Sequence, residues 1–435
     1  MSPAASVDRE ILRLAVPAFL ALVAEPAFLL ADSAIVGHLG TPELAGLGIA
    51  GAVLTTLISL CIFLAYGTTA SVARRIGAGD LRGAISSGID GIWLAVVIGV
   101  PITVVGLVAT PGLVGLFGAG DEVSHQAELY LRIAVVGAAP LLVMLAATGI
   151  LRGLQDTRTP LVVAVGGNLV NVGLNLLFVY GLDLGITGSA LGTVLAQIGS
   201  AAVLLLVVDR AARRHEADRR PTGRGIRAAG RAGVPLLLRT VTLRASLLVM
   251  TYGATTLGEA DLAAMQIALT VWTFLAFTLD AIAIAAQALT GRHLGAGDLD
   301  ATRTVTRRML RWGLVTGIAT GILLAAGSPV LGHLFTGDDE VRRLLVGVFL
   351  VAAAAQPVAG IVFVLDGVLI GAGDGRYLAW AGLAVLVVFA PAAWVALAWG
   401  GTLVWLWIAF ATAFMGGRCV VLLARERTPA WMTVG

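Results

Sequence analysis

The chain is written twice, at a spacing of half its length. HLGAGDL at His293–Leu299 restates RIGAGDL at Arg75–Leu81, and 293 − 75 = 218. PVLGHLFTGDDEV from Pro329 restates PGLVGLFGAGDEV from Pro111, and 329 − 111 = 218. AGVP ending at Pro235 answers LAVP ending at Pro17, and 235 − 17 = 218. Gly367, Gly371, Asp374 and Arg376 fall the same distance after Gly149, Gly153, Asp156 and Arg158 (367 − 149 = 218). A period this long is no solenoid repeat; it is the duplication of a whole bundle.

The bundle belongs in a membrane. The chain is 58% hydrophobic and only 13% charged, far from the balance of a soluble domain. Twelve weakly charged segments reach the roughly 20 residues a spanning helix needs. They lie near 10–37, 43–73, 84–110, 123–151, 158–181, 186–210, 229–257, 261–290, 303–326, 341–371, 376–398 and 401–424. The predicted fold is therefore an all-α polytopic membrane protein. Its twelve transmembrane helices form two six-helix lobes, 1–209 and 228–435, joined by an Arg-rich linker at 210–227. An even number of spans per half makes the pseudo-two-fold repeat parallel, with its axis along the membrane normal. That arrangement points to a transporter with its site between related halves.

Arginine sets the orientation, since the chain has no lysine. Arg74, Arg75 and Arg82 follow span 2, and Arg152 and Arg158 follow span 4. The linker carries Arg213, Arg214, Arg219, Arg220, Arg224 and Arg227. Arg292 and Arg303 follow span 8, Arg376 follows span 10, and Arg425 and Arg427 follow span 12. The alternate loops GLDLGITG, TTLGEAD and AWGG are nearly free of positive charge. The positive-inside rule places both termini and the linker in the cytoplasm of a cell-membrane protein. Arg342 and Arg343 break the pattern, and the adjoining acids of TGDDE are expected to neutralise them. The basic linker reads as a solvated hinge and implies no nucleic-acid partner. Cys61 and Cys419 fall within spans and imply neither a disulfide nor a metal site. The stretch before Ile11 is too polar for a cleaved signal.

Ionisable groups inside spans are costly, so each is a functional candidate. Asp32 leads, on a helix that also carries Pro17 and Pro26. A carboxylate held there can bind and release a proton. The prolines remove backbone hydrogen bonds and let the helix bend as the charge changes. Glu25, seven residues earlier, lies on the same helix face and either shares that proton or merely lines the helix. On span 5, Asn168, Asn171 and Asn175 share one face; they are hydrogen-bond partners for an acid on span 1, or interhelical ties. In the second half Asp280 and Asp366 are the intramembrane acids, with Arg239 and Arg244 on span 7 as candidate ion-pair partners. The halves have diverged here: Asp32 answers to Met250, and Asp366 to Thr148.

These features together make the chain similar to the multidrug and toxic compound extrusion (MATE) family, in its DinF-like branch. The matching residues are Pro17 and D-S-A-I-V-G-H-L-G from Asp32 to Gly40, and R-x-x-G-A-G-D after spans 2 and 8. N-V-G-L-N at Asn171–Asn175 and L-D-G-V-L-I-G-A-G-D at Leu365–Asp374 complete the set. The resemblance covers essentially the whole chain. It implies ion-driven export of amphipathic organic molecules, with Asp32 tied to proton coupling and Pro17 at the bend. Two departures bear on the ion: Asn175 stands where some relatives have aspartate, and the C-lobe acids of the sodium-coupled NorM-like branch are not all matched. Both favour a proton over sodium.

No organic cofactor or metal is expected, only a coupling ion: H+, with Na+ as the alternative. The expected partners are a small organic substrate and the lipid bilayer, for a monomer. A flippase for a lipid-linked saccharide is a rival reading and would use cations such as Arg132, Arg239 and Arg244. An enzyme is disfavoured, because the five histidines are scattered and no HExxH is present; without lysine there is no P-loop. A passive channel would not need titratable groups. The linker and the paired GAGD turns (Gly77–Asp80, Gly295–Asp298) are expected to be joints about which the lobes rock.

Overall fold

The computed structural model describes residues 3–433. Twelve helices long and apolar enough to cross a membrane follow one another. They are α1 (Pro3–Gly37), then α2 (Thr41–Gly77), α3 (Leu81–Gly115), α4 (Asp121–Gly153), α5 (Arg158–Gly181) and α6 (Gly185–Arg214). The second set is α7 (Gly223–Thr255), α8 (Glu259–Gly295), α9 (Leu299–Phe335), α10 (Asp339–Gly371), α11 (Gly375–Gly400) and α12 (Leu403–Glu426). The all-α fold and its duplication are as expected. There is no strand among the described residues.

The duplication extends to backbone detail. The GAGD turn ends α2 with Gly79 at φ 76° and ends α8 with Gly297 at φ 73°. Asp80 N–H donates to the Arg75 carbonyl at 2.9 Å, and Asp298 N–H to the His293 carbonyl at 3.0 Å. This is the left-handed closure that glycine makes without strain. The aspartate then caps the next helix: Asp80 Oδ1 accepts from Gly83 N–H, and Asp298 Oδ1 from Ala301 N–H, both at 2.8 Å. Each GAGD is thus a helix stop fused to a helix start.

The turn after α10 uses Gly373 at φ 76°, whereas its counterpart after α4 is Gln155 at φ 62° (373 − 155 = 218). A side chain in that region costs about 1–2 kcal/mol. Gln155→Gly should therefore stabilise the protein by about 1 kcal/mol, read as a higher unfolding midpoint in detergent. An unchanged or lower midpoint would refute the strain argument.

Glycines also bring helix backbones together in repeat-equivalent pairs. A Cβ on Gly149 of α4 would meet the Ala65 carbonyl oxygen of α2 at 2.6 Å; one on Gly367 of α10 would overlap the Ala283 carbonyl of α8. Since 65 + 218 = 283, this is the same contact made twice. Gly153 against Thr69 and Gly371 against Gln287 repeat it one turn on. In lipid, where the solvent does not push helices together, such close approach supplies the packing. On α9, Gly313, Gly317 and Gly321 form a further small-residue stripe against α10 at Gly360, Gln356 and Ala353.

Packing groups the chain into two compact units whose limits differ from the expected lobes 1–209 and 228–435. One unit is Leu20–Val234; the other joins the residues up to Phe19 to those from Pro235 onward. Helix α6 runs on to Arg214 and α7 begins at Gly223, so only residues 215–222 of the basic linker are non-helical. The linker arginines are partly engaged, with Arg213 and Arg219 donating to Asp209 at 2.8 and 3.0 Å. The awkward pair is answered locally: Arg342 donates to Asp339 at 3.0 Å, and Arg343 to the Asp339 carbonyl at 3.2 Å.

Candidate functional site

Asp32 is buried, at 3% exposure, in the unit formed by Leu20–Val234. An isolated carboxylate in such a place would be prohibitive, so it must be hydrogen-bonded. Three helices supply donors. Asn175 Nδ2 of α5 donates to Oδ1 at 2.8 Å, Ser189 Oγ of α6 to Oδ1 at 2.6 Å, and the Tyr130 hydroxyl of α4 to Oδ2 at 3.4 Å. All three are neutral. Gly192 seats the network, because a Cβ there would overlap the Asn175 side-chain oxygen.

Helix α5 holds α1 along its length. Asn168 Nδ2 donates to the Ala24 carbonyl at 3.2 Å, Asn175 to Asp32, and the Tyr180 hydroxyl to the Ile35 carbonyl at 2.6 Å. The predicted polar face of α5 is thus turned toward α1. Asn171 differs from expectation: it is 3% exposed but is not among the groups bonded to Asp32. It lies one turn before Asn175 on a short side chain, and Ser189 of α6 takes the place expected for it. Glu25 is exposed and is likewise not among the Asp32 partners. Helix α1 runs through Pro17 and Pro26 without interruption.

The other unit has a polar centre of a different kind. Arg239 of α7 donates to Asp366 of α10 at 2.6 Å through Nη2. Arg418 of α12 forms a second ion pair with the same carboxylate oxygen. Side-chain exposures of 12% for Arg239, 9% for Arg418 and 8% for Asp366 make this a buried triad. Asp280 of α8 is half-buried and adds electrostatic attraction for Arg418. Arg244 is exposed on α7. Arg418 also lies over the Phe414 ring, 5.6 Å from its centre, beside stacked Phe410 and a tilted Phe389.

Sequence reasoning missed Tyr130, Ser189 and Arg418. The first two are ordinary polar residues in apolar spans, with nothing local to mark them. Arg418 carried a signal, being an arginine inside a predicted span, but the positive-inside reading drew attention to the loops.

The family model described as MatE matches twice, at residues 17–177 and 235–395. Both ends of the match are offset by 218 (235 − 17 and 395 − 177), the period of the repeat. The chain is 32% identical over 386 residues to Protein DETOXIFICATION 44, chloroplastic, of Arabidopsis thaliana, covering 86% of this chain and 74% of that protein. It is 30% identical over 384 residues to DNA damage-inducible protein F of Escherichia coli strain K12, covering 84% and 81%. Among solved structures, a MATE in the bent conformation superposes with a TM-score of 0.90 at 23% identity, over 99% of this chain and 98% of that one. At that identity the likeness is one of fold.

Proposed function

The chain belongs to the MatE family, and from that premise we propose that it is a proton-coupled antiporter that exports amphipathic, lipophilic organic cations by alternating access. Family membership makes it a multi-pass membrane transporter for efflux of drugs and toxic compounds, and not an enzyme. The proposal adds the ion, the substrate class, action as a single chain and a cell-membrane orientation with both termini cytoplasmic.

The contrast between the two buried acids carries the choice of ion. Asp366 has its charge matched by two fixed guanidinium groups. Among the described residues, Asp32 is met only by an amide, a serine and a tyrosine, so a mobile cation is what would neutralise it. An uncompensated charge inside a span is the costly state that coupling exploits. Donors face Asp32, and one of them is an amide nitrogen, which cannot ligate a metal ion. That favours a proton over sodium. The C-terminal centre, with its acid already occupied by arginine, offers no second cation site at Asp366.

Glu25 is exposed on a helix whose neighbouring exposed side chains, Leu20, Leu29 and Leu30, are apolar, which suits lipophilic cations. The saccharide-flippase reading requires an uncompensated cationic lining. Arg132 instead pairs with Glu128 at 3.2 Å and Arg239 with Asp366, which weakens that reading.

The deciding experiment is transport into proteoliposomes under imposed gradients. An inside-acid gradient should drive a lipophilic cation inward, while an equal inside-high sodium gradient at constant pH should not. Transport that follows sodium alone would sink the proton assignment.

A further inference from the structure

The two helices that open the halves each change company along their length. Helix α1 packs with the C-terminal unit up to Phe19, and α7 with the N-terminal unit up to Val234. Both changes fall beside repeat-equivalent prolines, Pro17 and Pro235 (235 − 17 = 218). Proline removes one helical hydrogen bond and makes a natural joint. Ahead of each joint the starting segment is gripped by a charged residue, and the two gripping residues are themselves repeat counterparts: Asp90 of α3 and Arg308 of α9, with 308 − 90 = 218.

The grips differ in chemistry because they hold different things. Asp90 holds the start of α7. Its Oδ1 accepts from the Thr222 N–H at 3.0 Å and from the Thr222 hydroxyl at 3.1 Å. The same hydroxyl oxygen accepts from Gly225 N–H at 3.1 Å, capping the helix. A carboxylate at a helix N-terminus faces unpaired N–H groups and the positive end of the dipole. Glycine at 225 leaves room for this grip, since a Cβ there would overlap the Asp90 carboxylate and push it aside. Arg308 holds α1 through a side chain instead. Its guanidinium takes Asp8 in a two-pronged pair, with Nε to Oδ1 at 2.6 Å and Nη2 on Oδ2. Trp312 Nε1 adds a bond to Asp8 Oδ1 at 2.8 Å, and Arg292 takes Glu10 at 3.1 Å.

The first turns of α7, where Asp90 grips it, pack through small side chains. Ahead of Gly233, which closes on the Phe63 ring of α2, the face of α7 toward α2 and α3 is made of Gly225, Ala228, Ala229 and Ala232, and a cavity of about 160 Å³ remains there beside Asp90. Small residues beside a cavity bury little apolar area, so burial adds little holding energy. The polar contact is the principal tie, and such a tie can be made and broken.

We propose that Asp90–Thr222 and Asp8–Arg308–Trp312 are two repeat-equivalent latches. Each holds the starting segment of α7 or α1 before its proline joint, and each must release during the transport cycle. The inference rests on the reading of the chain as an alternating-access transporter.

The test uses the full chain in proteoliposomes, with Cys61 and Cys419 replaced by alanine. In the Asp90→Cys/Thr222→Cys variant, oxidation should cut transport at least tenfold and reduction should restore it. Asp8→Arg and Arg308→Asp should each impair transport, and the charge-swapped double variant should recover most of it. An oxidised, fully crosslinked protein that transports as fast as the reduced one overturns the proposal, as does a folded charge swap that recovers nothing. If the parent protein moves no test compound under any gradient, it is the transport reading that has failed. The grip is then judged by hydrogen exchange: the Thr222 and Gly225 backbone N–H groups, held by Asp90 and by the Thr222 hydroxyl, should exchange at least tenfold faster in Asp90→Ala, and equal rates refute it.

Discussion

Asp366→Asn should leave almost no folded protein, and removing Arg239 as well should bring part of it back. The carboxylate sits at 8% side-chain exposure between two guanidinium groups, and arginine cannot shed its proton to escape. Taking away the shared acid strands two buried cations, and breaking a buried ion pair in this way costs about 3–5 kcal/mol. That is a large part of the stability of an ordinary protein. Arg239→Gln on top of Asp366→Asn leaves one arginine, Arg418, which Asp280 still attracts, so the charges balance again. Two substitutions should therefore be milder than one. Size-exclusion profiles and melting temperatures in detergent decide it. If Asp366→Asn alone behaves as wild type, or the double variant is worse than the single, the buried acid is not what holds these two arginines in the interior.

The parts of this molecule that were legible in the sequence are those governed by short-range rules. A spanning helix declares itself by length and apolarity, and so all twelve could be read. The duplication was legible because backbone-to-backbone contact demands glycine at one position and no other. Gly149 and Gly367 kept both their spacing and their partners, Ala65 and Ala283. Asp32 was legible because its cost singles it out. Which side chains would reach it was a question of tertiary placement: α4 and α6 deliver Tyr130 and Ser189, while Asn171, on the expected face, falls one turn short. The limits of the units were hidden for a related reason. Composition marks the Arg-rich stretch at 210–227, whereas packing follows single residues, Asp90 and Arg308, that hold the starts of α7 and α1.

Asp32→Asn should reduce gradient-driven efflux to the level of empty liposomes while the protein folds normally. The substitution keeps the side chain's size and leaves an oxygen to accept from Asn175 and Ser189, which now bond to Oδ1 at 2.8 and 2.6 Å. The new amide nitrogen replaces Oδ2, where the Tyr130 hydroxyl stands at 3.4 Å and can turn to accept instead of donate. Little hydrogen bonding is lost, so little stability should be lost. Asp32→Leu would be a poorer experiment, since each donor left stranded in the interior costs about 1–3 kcal/mol and misfolding would cloud the result. What asparagine cannot do is take up and release a proton. The variant is fixed in the neutral state, and a transporter whose two forms no longer differ in charge has nothing to couple to the gradient. Substrate binding should weaken but stay measurable, because the variant is fixed in the neutral form, the one from which an antiporter releases its substrate. The measurement pairs equilibrium binding of a fluorescent lipophilic cation with its transport under an inside-acid gradient. Weakened but measurable binding with transport lost is the expected outcome; wild-type transport by Asp32→Asn at equal protein level would show that the coupling proton binds elsewhere.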